Sequence, residues 1–144
     1  MSVSHGESVN EFLWPVRVYY EDTDAGGVVY YANYLKFMER ARTEWLRKLG
    51  VEQDELRQKD NVVFVVSAVQ VRYLASARFN DHLWVTSSIK HAGKARLVFA
   101  QEVRHAEHKT LLCQGEVDVA CLDMEKQKPV AIPTIITEQL STGD

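Results

Sequence analysis

The sequence predicts an α+β domain in which one long helix lies on a single face of an antiparallel sheet. Three observations predict it. Residues 34 to 49 carry Tyr34, Leu35, Met38, Ala41, Trp45 and Leu49 at helical spacing, with Lys36, Glu39, Arg40, Thr43, Arg47 and Lys48 on other faces. From Val62 onward the apolar period changes to two. The period-two runs are separated by short turn sequences, Asn80-Asp81, Ala92-Gly93 and Ala106 to Lys109, so successive runs pair as hairpins. A helix that must bury one stripe and strands that each offer an apolar face then form two layers.

The elements follow in order. Residues 1–11 read as a loose, polar N-terminal segment, and 12–144 as a single domain. Phe12 to Tyr20 is a strand with Val16, Val18 and Tyr20 on one face, and Pro15 places its early part at an edge. An acidic, Gly-containing loop leads into the long helix. Asn33 is a candidate cap, with a start one turn earlier, near Tyr30, as the alternative. Gly50 stands where a left-handed residue ends a helix. Val51 to Lys59 suits a short second helix. Val62 to Ala75 is a strand with Val63, Val65, Val69, Val71 and Tyr73 on one face. His82 to His91, Ala95 to His105 and Thr110 to Leu122 complete an antiparallel meander, and Pro129 and Pro133 break the tail. Burying one large side chain such as Trp45 contributes about 1.5–3 kcal/mol. Long strands also leave edges that invite pairing with a second copy.

Composition narrows the function classes. The 144 residues suffice for one domain with a real core. A net charge of −3 gives no electrostatic footprint for nucleic acid or an anionic membrane. No apolar run is long enough to span a bilayer, and the first residues lack the basic and apolar regions of a secretion signal. With only Cys113 and Cys121, a cytoplasmic location fits best. A bridge between them is excluded if both lie in one strand, which separates them by roughly 26 Å where a disulfide needs about 7 Å or less.

The chemistry-bearing residues gather between strand and helix. Asp22 and Asp24 precede the helix, and Gly26 and Gly27 let a backbone approach a ligand closely. A helix N-terminus presents free N–H groups and partial positive charge. A carboxylate there can attack a thioester carbonyl or activate water, with amides around Val28 to Tyr31 stabilising the oxyanion. The competing reading is that both acids only shape a turn. Glu39 on the helix is a possible second carboxylate, or a solvated partner of Arg40, Arg42 or Arg47. Tyr19, Tyr20, Tyr30, Tyr31 and Tyr34 form an aromatic cluster that lines an acyl pocket or belongs to the core. Lys90, Lys94 and Arg96 flank one hairpin as phosphate ligands or as a solvated basic turn. The histidines give no metal spacing, and Ala25-Gly26-Gly27 is not a dinucleotide fingerprint.

The run VRVYYEDTDAGGVVYYANYLKFMERARTEWL resembles the signature of hotdog-fold acyl-CoA thioesterases of the 4-hydroxybenzoyl-CoA thioesterase type. It looks most like their YbgC branch, which is associated with the Tol–Pal cell-envelope system. VVFVVSAVQVRYLASARFND and ACLDMEKQKPVAIP are similar too. The resemblance implies a hotdog fold, a long central helix wrapped by a curved five-stranded antiparallel sheet. It implies homodimers joined edge to edge, often paired into homotetramers, with active sites at subunit interfaces. It implies an acyl-CoA substrate, no cofactor, and by family resemblance a link to acyl carrier protein. It assigns the catalytic carboxylate to Asp24, the carbonyl-polarising amide to Tyr31, and a nearby Tyr to Tyr20. Gly27, Val28 and Tyr31 become substrate-binding positions. Tyr31 stands where many YbgC-type sequences have His, so a backbone role survives there and an imidazole role does not.

Two rival classes remain from the sequence. One is a non-catalytic acyl-CoA binder or envelope-associated scaffold on the same fold. The other is a hotdog dehydratase, whose chemistry looks for a pocket His that this loop and helix lack.

Overall fold

The helical and period-two parts of the sequence meet at Val62, as their spacing predicts. A computed structural model describes residues 11–141; of the segment expected to be loose, residues 1–11, all but Glu11 lies outside that range, and Glu11 opens the first strand. Before Val62 come strand β1 (Glu11–Arg17), helix α1 (Asn33–Lys48) and helix α2 (Gln53–Asp60). After it come β2 (Val62–Tyr73), β3 (His82–Ala92), β4 (Arg96–His105), β5 (Leu111–Asp123), the two-residue β6 (Lys128–Pro129) and helix α3 (Thr134–Ser141). The long strands lie in the order β1-β3-β4-β5-β2, all antiparallel, and β6 adds to the end of β5. The β3-β4-β5 meander matches the hairpin signals. Strand β2 does not join it through β3 but crosses over to pair with β5, so β1 and β2 are the two edges. Pro15 is on an edge strand, where its missing N–H breaks no ladder.

Helix α1 lies on one face of this curved sheet against β3, β1 and β4, which is the hotdog arrangement. Its buried side chains are Tyr34, Phe37, Met38, Ala41, Trp45 and Leu46. Leu35, expected in the stripe, is 37% exposed. It sits about 100° around the helix from Tyr34 and lands on the flank, while Phe37 and Leu46 complete the buried face. The C-terminus closes as a Schellman motif: Gly50 has φ +100°, its N–H donates to Arg47 O, and Val51 N–H donates to Leu46 O at 2.8 Å. One core cluster joins the first half of α1 to Val16, Val18, Leu83, Val85 and Val103. A second joins Trp45 and Leu46 to Leu97, Phe99, Val117, Ile132 and Ile136. The last of these belongs to α3, which the two tail prolines did not suggest. Pro133 precedes that helix, and its carbonyl accepts the Ile136 N–H.

Two strand expectations need correction. Tyr20 does not continue β1; it is 78% exposed in a single 3₁₀ turn, Tyr20–Asp22. The β2 face is also not one alternating row. A register shift between Val66 and Ala68 makes Ser67 an extra residue. Phe64 and Val66 therefore pair with Cys121 and Val119, and Val69, Val71 and Tyr73 pair with Val117, Gly115 and Cys113. Residues opposite one another share a face, so Val63 and Val65 turn to the far side. Cys113 and Cys121 are free and buried on β5, as the spacing required. Burial pushes their thiols up to about 12 and about 11. The basic hairpin is ion-paired in part, Lys90 with Glu116 and Arg96 with Asp118.

Candidate active site

The loop between β1 and α1 is a small hairpin. Asp24 N–H donates to Val28 O at 2.9 Å, and Gly27 N–H returns to Asp24 O at 3.0 Å. Thr23 pairs with Val29, and Val28 pairs with Arg78 on the segment after β2. This is a three-residue loop closed by a left-handed residue, and Gly27 supplies it with φ +83°. Gly27 is thus needed by the turn itself, in addition to any ligand approach.

The two acids of the loop do different work. Asp22 is buried at 7% exposure. Its carboxylate accepts Tyr19 N–H at 2.8 Å, and its carbonyl accepts Tyr30 N–H at 2.9 Å and Asn33 Nδ2 at 2.9 Å. Asp24 is exposed; its Oδ1 accepts Gly26 N–H at 2.9 Å, and its second oxygen has no protein partner among the described residues. The turn-shaping reading thus describes Asp22 and only one oxygen of Asp24.

Helical geometry starts before the regular helix. Asn33 N–H donates to Tyr30 O, Tyr34 N–H to Tyr31 O and Leu35 N–H to Ala32 O, three residues back in each case. These bonds carry a 3₁₀ turn back to Tyr30, the earlier start allowed by the sequence, ahead of Ala32, which flanks the regular helix. Asn33 is no cap, since its side chain is committed to Asp22. The amides of Tyr31 and Ala32 donate to no acceptor among the described residues, as the first turn of a helix requires. Each carries positive partial charge toward solvent.

The aromatic cluster divides. Tyr34 is core: it is 2% exposed, its hydroxyl accepts Ala77 N–H at 2.9 Å, and burial raises its pKa. Tyr31 is 59% exposed, with its ring 4.9 Å from Tyr30 and edge-on to Tyr73 at 5.6 Å. Tyr20 stacks on Phe79 at 4.8 Å, on the rim of the loop.

A model of the thioesterase-like superfamily matches residues 18–140, which span this loop, α1 and every strand of the sheet except β1. The chain belongs to that superfamily, in its YbgC group. It is 46% identical to the acyl-CoA thioesterase YbgC of Haemophilus influenzae, over 86% of this chain and 90% of that one. It is 49% identical to the acyl-CoA thioester hydrolase YbgC of Escherichia coli, over 89% of this chain and 94% of the relative. The fold is similar to the crystal structure of a 1,4-dihydroxy-2-naphthoyl-CoA thioesterase from Synechocystis, with a TM-score of 0.86, 23% identity, and 91% and 96% of the two chains covered.

Of the positions singled out in the sequence, Asp24, Gly27 and Val28 lie in one hairpin, with Tyr31 opening the helix three residues on. Glu39 is not gathered with them. It is exposed on α1, where Thr43 Oγ1 donates to its carboxylate at 2.5 Å and the Arg42 charge is near. Among the described residues there is no cluster of His, Cys, Asp and Glu able to hold a metal, and no helix long and apolar enough to cross a bilayer. The stretch similar to the YbgC branch contains Tyr73, Arg78 and Phe79, but the resemblance gave them no role at the site. They reach the loop through the β2–β3 crossover, a contact between segments some fifty residues apart that no local spacing signals.

Proposed function

We propose that this chain hydrolyses acyl-CoA thioesters, with Asp24 as nucleophile or as the base that directs water, and the Tyr31 amide as the oxyanion donor. The observation that carries the reading is a solvent-facing carboxylate on the hairpin that runs into the opening of α1, where the N–H groups of Tyr31 and Ala32 are unused. A new C–O bond forms at the acyl carbon, the C–S bond breaks, and coenzyme A leaves as a thiolate. Charge developing on the carbonyl oxygen falls at the positive end of the helix. A thiolate is a good leaving group, so the absence of an imidazole at Tyr31 removes nothing the reaction needs. Gly27 and Val28 form the floor on which the acyl group passes Asp24, and the Tyr20 ring stands at its edge.

Strand β2 supports a homodimer. It pairs on one side only, with β5, and exposes Val65, Val66, Val69 and Tyr73 at 42–45%. A second copy adding edge to edge covers these residues and supplies the wall that one chain leaves open beside Tyr31 and Tyr73. A dimer with two interfacial sites follows, and a pair of dimers is its natural extension. The YbgC relatives are named for hydrolysis of acyl-CoA thioesters, which supports acyl-CoA as the substrate class here.

The test is thiol release from a panel of acyl-CoAs, with the parent protein and Asp24→Asn. A loss of at least about a hundredfold is expected from the variant. Undiminished turnover would remove Asp24 from the mechanism.

A further inference from the structure

We propose that Asn33 is a positioning residue: its carboxamide sets the spacing between the Asp24 carboxyl and the Tyr31 amide by clasping the carbonyl of Asp22. The inference rests on the acyl-transfer reading of the loop given above.

Asn33 is 8% exposed, although an asparagine at the start of a helix is ordinarily a surface cap. It gives up that role. Its Nδ2 instead donates to Asp22 O, eleven residues earlier, at 2.9 Å in a buried bond. The same carbonyl accepts Tyr30 N–H at 2.9 Å, so both its lone pairs are taken from the helix side. From the other side Asp22 is held by Tyr19, whose N–H meets the Asp22 carboxylate at 2.8 Å and whose carbonyl accepts Asp22 N–H at 3.0 Å. Asp22 is thus held at its N–H, its carbonyl and one carboxylate oxygen. Two residues after it stands Asp24; one residue after Tyr30 stands the free Tyr31 amide.

The hairpin bonds from Asp24 to Val28 fix the loop internally, and the first helical turn fixes Tyr31 internally. The bonds that tie one unit to the other converge on Asp22 O. Of these, Tyr30 N–H is backbone, so Asn33 is the side chain through which sequence controls the join. Displacement of about 1 Å between a nucleophile and an oxyanion donor costs on the order of a hundredfold in rate. A shifted frame leaves acyl-CoA binding surfaces elsewhere intact, so the cost falls on kcat.

The experiment measures kcat, KM and Tm for Asn33→Ala and Asn33→Asp, each alone and combined with Asp24→Asn. Asn33→Asp preserves shape and, ionised, cannot donate. In the Asp24 parent, both are expected to lower kcat about tenfold or more, with KM changed less than about threefold. In the Asp24→Asn background the further loss should shrink below about twofold, because no aligned carboxylate remains to be displaced. Parental kcat in either folded variant, or an equal fractional loss in both backgrounds, overturns the proposal. If Asn33→Ala does not fold, Asn33→Asp decides alone. Undiminished turnover of Asp24→Asn by itself removes the underlying reading instead. Loss in Asp24→Asn with parental kcat in the Asn33 variants removes only the role of Asn33.

Discussion

Gln101 on β4 reaches up from the sheet to the backbone of α1, its Nε2 donating to the carbonyl of Met38 at 3.0 Å. The same nitrogen donates to Ser87 Oγ at 2.7 Å, and its oxygen accepts Arg42 Nη1 at 3.0 Å. Gln101 is 2% exposed and sits between the two apolar clusters under the helix. Burial lowers the Arg42 pKa, and Glu39 opposes that shift. Glu39 therefore has a place in this network.

Replacing Gln101 with Leu should cost about 2–4 kcal/mol of unfolding free energy. It strands the Arg42 guanidinium and the Ser87 hydroxyl in a low-dielectric setting, and unmade bonds of buried groups are expensive. Urea denaturation measures it. A variant as stable as the parent would show that the network adds orientation without net stability, as buried polar groups sometimes do.

Gly115 on β5 leaves no room for a side chain beside β2. A Cβ there meets Gln70 O at 2.9 Å, Val71 Cγ2 at 3.2 Å and Met38 Cε at 3.5 Å. The first of these is backbone in the paired strand and has nowhere to go. Gly115→Ala should destabilise by about 1–3 kcal/mol, and Met38→Ala in the same chain should not relieve it, because the tight contact is with β2. Thermal unfolding of the three variants checks both statements.

How much of this was legible depended on the range of the contact. Pattern within one element carried far: the helix ended at Gly50, the meander turned where Ala92-Gly93 and Ala106 to Lys109 said it would, and Pro15 marked an edge. The motif through Asp24 carried the family. Pattern failed where one extra residue changed the phase, as Ser67 does in β2, and where a side chain had a long-range partner. Leu35 and Phe37 are both plausible helix-stripe residues, and only packing against β1 and β3 chooses Phe37. Asn33 reads as a cap until Asp22 is seen beside it. Asp22 and Asp24 are the same residue type, two apart, and the bonds of Asp22 to Tyr19, Tyr30 and Asn33 separate the structural acid from the exposed one.

The two cysteines make a prediction about pH. Folded Cys113 and Cys121 titrate at about 12 and about 11, against 9.0 for an open thiol, because burial penalises the thiolate. A raised folded pKa means the native chain holds protons that the unfolded chain releases. That contribution is complete below about pH 9 and is lost as pH climbs toward 11 and 12. Tm should fall across that window, and less steeply in Cys113→Ala if that variant remains folded. At pH 8 the native thiols should also be inert to a disulfide reagent until the chain is unfolded, which keeps a thiol-release assay free of background from the protein itself.

The amide of Tyr31 can be tested apart from its ring. Tyr31 is the first residue of the 3₁₀ turn that leads into α1, where proline is well tolerated, since its N–H has no helical acceptor to lose. Proline also steers the preceding residue away from helical backbone, which suits a residue ahead of a turn. Tyr31→Pro should therefore fold, while lacking the one donor the oxyanion needs. Loss of a single such donor costs about a hundred- to a thousandfold in kcat. Tyr31→Phe keeps the amide and the edge-on packing against Tyr73 and should stay within a fewfold of the parent. Tyr31→His restores the side chain frequent in the YbgC branch and should gain little, because the thiolate leaves without protonation. A Tyr31→Pro protein with the parental Tm and parental kcat would mean that the carbonyl oxygen is held somewhere other than at the opening of α1.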